Sequence, residues 1–207
     1  MVQVLARRRA ELRLKAAVHP MPLRIVLAGP ESTGKSRLAA HLAKRYRVPC
    51  APEYARIYLE ANGPEYDYAL LRRLAGDHLV HQARCVPALA PLGILDTDLI
   101  NYKIWCDVVF GRCHPEILEA LARETNHAYL LCAPDVPWAP DPLRENPHDR
   151  PALFERHRRE IERLGRPFGV VTGLGRARYR NAEAAFEKLA AASSGCGGPV
   201  RGGPRRT

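Results

Sequence analysis

The stretch GPESTGKS, Gly29 to Ser36, follows the apolar run LRIVLA and precedes a helical pattern. Gly29 and Gly34 let the backbone curl until successive N–H groups face an anion. Lys35 then reaches the β- and γ-phosphates of a nucleoside triphosphate, and the Ser36 hydroxyl suits Mg²⁺. Glu31, Ser32, Thr33 and Arg37 complete the loop and its exit. A helix beginning at Lys35 turns its positive end toward the same anion. With a strand before it and a helix after it, the pattern predicts a site for ATP and Mg²⁺.

Two carboxylate stretches accompany this loop. In ILDTD, an apolar run ends in Asp96, where a phosphate-loop fold needs an acid for Mg²⁺ or its water. Asp98 reads either as a second acid of the site or as the cap of the helix beginning near Leu99. In APEYARIY, Glu53 follows a second strand and suits the acceptance of a proton from an attacking hydroxyl, with Arg56 pinning an anionic or hydroxylated group. Glu53 and Arg56 read equally as a first-turn helix pair. Further on, PDVPWAPDPLRENPHDRPALF is too rich in proline and polar residues for a core. Its Arg144 and Arg150 suit a lid that closes over a triphosphate and stabilises transferring charge. Tyr54, Tyr58, Tyr102, Trp105 and Trp138 offer flat faces nearby, each with packing as the plainer role.

These groups need a scaffold that carries them to one edge. Short, continuously apolar runs at 23–28, 48–51, 93–96, 129–132 and 168–172 suit parallel strands buried on both faces. Helical patterns at 35–46, 66–85, 99–110, 115–124, 151–164 and 178–191 fill the gaps. The alternation predicts an α/β fold of the P-loop NTPase type: a five-stranded parallel sheet flanked by helices, with a lid segment. Such sheets bind ligands at the carboxyl edge of their strands.

The chain has 207 residues, enough for one well-buried domain. The expected division is a basic extension over 1–20, a catalytic domain over 21–192 and a disordered basic tail over 193–207. The net charge of +10 lies mostly at the two ends, +4 in residues 1–20 and +3 in 191–207. It therefore does not argue for a specific nucleic-acid partner. Six cysteines without a CxxC pair read as reduced thiols rather than a zinc site. No apolar run is long enough to span a bilayer, and none near the start ends in a cleavage signal, so a cytoplasmic protein with no membrane partner is expected.

Taken in order, GPESTGKS, PEYAR, the His81–Gln82 pair, DTD and the PW-x-x-D lid resemble the ribosylnicotinamide kinase domain of the NadR family. The resemblance spans residues 22–190. It implies a P-loop kinase that uses ATP and Mg²⁺ to phosphorylate the 5′-hydroxyl of nicotinamide riboside in NAD salvage. On matched positions, Lys35 and Ser36 bind phosphate and Mg²⁺, and Asp96 serves Mg²⁺ or ribose hydroxyls. Glu53 becomes a substrate or base residue, and Arg144 and Arg150 become lid arginines. Tyr54, Arg56, Asp98 and Trp105 fall to the substrate side. The remaining residues leave no room for the adenylyltransferase domain such proteins carry, so a stand-alone kinase domain is expected. Two alternatives stay open: a kinase for another nucleoside or small hydroxylated metabolite, and a regulatory ATPase or nucleic-acid-binding module.

Overall fold

The computed structural model describes residues 22–194; the expected basic extension and nearly all of the expected tail lie outside them. Five strands form one all-parallel sheet: β1 (Leu23–Ala28), β2 (Cys50–Ala51), β3 (Leu92–Asp96), β4 (His127–Cys132) and β5 (Phe168–Val171), in spatial order β2-β3-β1-β4-β5. Seven helices flank the sheet among the described residues: α1 (Lys35–Tyr46), α2 (Tyr54–Asn62), α3 (Tyr68–Cys85), α4 (Leu99–Phe110), α5 (Pro115–Arg123), α6 (Arg150–Arg163) and α7 (Gly175–Ser194). None is long and apolar enough to cross a membrane.

Side-chain alternation along the central strands divides the core. Val26, Leu95, Tyr129 and Leu131 pack toward α3, α4, α5 and α6, whereas Ile25, Leu27, Ile94 and Leu130 pack toward α1 and α7, against Leu38, Leu42 and Phe186. Both faces are covered, which explains the unbroken apolar runs. The register pairs Leu27 with Asp96 on one side and Leu130 on the other. The phosphate loop and the acidic end of β3 therefore emerge side by side at the carboxyl edge, flanking the point where the strand order turns.

Besides shifts of one or two residues at the ends of other elements, three local features differ from the sequence expectation. Strand β2 is only Cys50–Ala51, shorter than the expected 48–51, because it pairs on one side alone. Helix α2 is additional: Glu53 precedes it without a side-chain cap, and it buries only Ala55 and Leu59, so its periodic signal is weak. Helix α7 begins at Gly175 and runs through position 192 to Ser194, so its last turn crosses the expected domain boundary.

Candidate active site

Loop 29–34 leaves β1 in backbone conformations that only its sequence permits. Gly29 has φ +124°, and a Cβ there would lie 2.7 Å from the carbonyl oxygen of Cys132 on the neighbouring strand. Gly34, at φ +79°, is the left-handed residue that starts α1. Thr33 is fully buried and donates its hydroxyl to Pro30 O at 2.8 Å, closing the loop on itself. Lys35 Nζ donates to the same carbonyl at 2.8 Å, so the ammonium sits over the mouth of the loop.

Behind the loop, Asp96 is 3% exposed. Burial pushes its carboxyl up, opposed by a hydrogen bond from Ser36 and the charges of Lys35 and Arg56. Its Oδ1 has no hydrogen-bond partner. An unpartnered buried carboxylate oxygen beside a serine hydroxyl is the hard-oxygen donor set that Mg²⁺ takes, so these two residues fit the ion. Glu53 faces the same space: burial, then the negative charges of Asp96 and Glu31, push its carboxyl up to about 7 against the pull of Lys35 and Arg56.

A cleft of about 470 Å³ opens over these groups. One side is the phosphate loop with Glu53 and Arg56; the other is apolar, with Leu59, Ile104, Trp105, Val108 and Leu143. Tyr66 meets Trp105 edge-on there, with ring centroids 4.6 Å apart. The lid, residues 133–149, covers the top. Glu31 accepts from the Asn146 N–H at 2.6 Å and the Glu145 N–H at 3.1 Å, and Ser32 Oγ accepts from Ala139 N–H at 2.9 Å. Arg56 pairs with Asp141 at 2.7 Å, and the Tyr66 hydroxyl donates to Glu145 at 2.8 Å. Arg144 lines the cleft and bonds to Ala139 O. Arg150 stands behind, donating to Val136 O at 2.7 Å, with its guanidinium 5.7 Å from the centre of the Trp138 ring.

The phosphate loop, its lid and all of β1 but Leu23 fall within residues 24–178, which match the AAA domain family. The chain belongs to the AAA domain family. It is also similar to the trifunctional NAD biosynthesis/regulator protein NadR of Escherichia coli (strain K12), 29% identical over 124 residues, which is 58% of this chain and 30% of that protein. The NadR of Salmonella typhimurium matches equally, 29% over 124 residues with the same shares. A solved structure of NadR protein in complex with NR superposes with a TM-score of 0.68 at 22% identity, over 81% of this chain and 50% of that one. A second, in complex with NAD and AMP-PNP, has a TM-score of 0.60 at 21% identity, over 87% and 52%. The AAA domain described here thus spans about half the length of those solved chains, and less of the curated relatives.

Within this AAA domain, the predicted site residues separate. Gly29, Glu31, Ser32, Thr33, Gly34, Lys35, Ser36, Arg37, Glu53, Arg56, Trp105 and Arg144 all line the cleft, with Asp96 buried beneath it. Tyr54 is not part of that lining and packs toward His81, with ring centroids 5.4 Å apart. Asp98 takes the capping role: it accepts from Ile100 N–H at 3.0 Å, and its other oxygen accepts from Tyr129 at 2.5 Å and pairs with His127 at 3.1 Å. At 1% exposure it is enclosed on all sides. Burial alone would push its carboxyl up, but His127, Tyr129 and Arg166 hold it below the ordinary value. Tyr66, which holds the lid through Glu145, escaped the sequence reading, and Asp141 entered it only as part of the PW-x-x-D stretch without its pairing to Arg56, because these partners are distant in the chain.

Proposed function

We propose that this domain is an ATP-dependent kinase that phosphorylates the 5′-hydroxyl of nicotinamide riboside to the mononucleotide. The observation that carries the reading is one continuous cleft, in which Lys35, Ser36 and Glu53, with Asp96 buried behind Ser36, adjoin an apolar compartment walled by Tyr66 and Trp105. The similarity to NadR, solved with NR and with AMP-PNP, supports both halves. The triphosphate of ATP takes the loop amides, and the flat base of the nucleoside takes the aromatic wall. Mg²⁺, held by Ser36 and Asp96, supplies charge neutralisation on the phosphates. Glu53 accepts the hydroxyl proton as the oxygen attacks the γ-phosphorus in line, and the ADP leaving oxygen takes the bond electrons. Because the transition state is loose, Lys35 and Arg144 act by position and charge, with Arg150 bracing the lid.

The test is ATP-dependent phosphorylation of a nucleoside panel that includes nicotinamide riboside, with Lys35→Ala as the blank. Preference for nicotinamide riboside is expected. Preference for another nucleoside would keep the chemistry and move the substrate, whereas hydrolysis without an acceptor would overturn the kinase reading.

A further inference from the structure

The two aspartates of DTD stand at i and i+2, which on a continuing strand would place both on one face. They diverge instead: Asp96 lies with Ser36, and Asp98 enters the core with Tyr129 and His127. The residue between them makes the difference. Thr97 has φ +71°, a left-handed conformation that a β-branched residue avoids. Its hydroxyl has no hydrogen-bond partner, so its own side chain does not compensate. Such a backbone persists only where its surroundings over-determine it. Here they come from two sides: the Thr97 N–H donates to Leu27 O on β1 at 3.2 Å, and the Thr97 carbonyl accepts from Gln82 Nε2 on α3 at 3.2 Å. Gln82 is 8% exposed, and its amide nitrogen is spent on this bond.

We propose that Gln82 is a positioning residue: by holding the Thr97 carbonyl it fixes the left-handed turn that aims Asp96 at Ser36. The inference rests on reading Asp96 as a group that holds the divalent cation. It is independent of which nucleoside is phosphorylated, and its test contains no acceptor. Binding of a non-hydrolysable ATP analogue to the full chain is measured by calorimetry with Mg²⁺ and with EDTA, alongside thermal melting. Gln82→Met keeps the volume and removes the donor. It is expected to weaken binding with Mg²⁺ by about three- to tenfold, the effect of one hydrogen bond, while leaving binding in EDTA unchanged. Thr97→Gly in the same background is expected to restore the Mg²⁺ gain, because glycine takes this conformation without penalty. Equal losses with and without Mg²⁺, no loss at all, or no rescue by glycine would each overturn the proposal. Asp96→Asn is the control: if it keeps the full Mg²⁺ gain, the reading of Asp96 fails and the proposal with it.

Discussion

Asp96 and Asp98 are separated by one residue, yet their surroundings differ in kind. Around Asp98, partners come from three places in the fold: Ile100 N–H in the first turn of α4, His127 and the Tyr129 hydroxyl on β4, and Arg166 before β5, whose guanidinium also donates to that hydroxyl at 2.5 Å and to Leu121 O at 2.5 Å. The carboxylate there is fully engaged, and its ionised form is favoured. Asp96 is nearly as buried and Glu53 is partly open to the cleft, but the partners of both are fewer, and both carboxyls are pushed up. A charge surrounded by its own protein ties the fold together. A charge buried without enough partners costs free energy that a bound cation, phosphate or hydroxyl can return.

That contrast can be broken at its strongest point first. Lys35→Ala should lower turnover by at least about a thousandfold, as expected for a charge aimed at the transferring group, while the melting temperature stays near wild type. Steady-state kinetics and calorimetry check both halves. Asp98→Ala should do the reverse, removing about 3–5 kcal/mol of stability by taking away the buried carboxylate that Tyr129 and His127 bond and that Arg166 faces, with only Glu124 left beside them. In urea titrations this is a lower midpoint, and the folded fraction should still bind ATP normally.

Glu53 sharpens the comparison through pH. In the proposed reaction its carboxylate accepts the proton, so kcat/KM should fall as pH drops below about 7, and Glu53→Gln should remove that limb. The stability effect has the opposite sense. Because the native value lies above the ordinary 4.5, the folded state holds the extra proton between about 4.5 and 7. Stability therefore declines as pH rises through that window, and Glu53→Gln should flatten the decline. The smallest effect belongs to the lid latch. Asp141→Ala removes a partly exposed ion pair with Arg56, worth about 1 kcal/mol or less, and should raise KM by no more than roughly fivefold. Limited proteolysis within residues 133–149 should become faster.

The phosphate loop and the five strands were legible because their signals are local. Glycines at fixed spacing and apolar runs bounded by turns need no knowledge of the rest of the chain. Asp98 stayed ambiguous because its decisive partners, His127, Tyr129 and Arg166, come from β4 and the approach to β5, and no spacing within DTD announces them. The divergence of the two aspartates turns on a single backbone angle at Thr97, which residue type argues against. Helix α2 was hidden for a different reason: after Pro52 there is no Ser, Thr, Asp or Asn to open it, and its buried face is one pair of residues. Glu31 was assigned to the phosphate loop, but its acceptors' role toward the Glu145 and Asn146 amides depends on backbone groups more than 110 positions away.

The way the lid is fastened carries a consequence for the tempo of the proposed reaction. Around the cleft, its attachments reach Glu31, Ser32, Arg56 and Tyr66, drawn from the phosphate loop, α2 and the turn before α3, while Asp135 ties its base to Gly173 and Arg178. A cover held at one point frays open, but one held at four lets go only when they release together. In the proposed reaction, phosphoryl transfer between well-aligned groups is quick once begun, so the departure of product past this cover should become the slow event. Variants that loosen a single attachment would then turn over faster while binding less tightly, trading grip for pace.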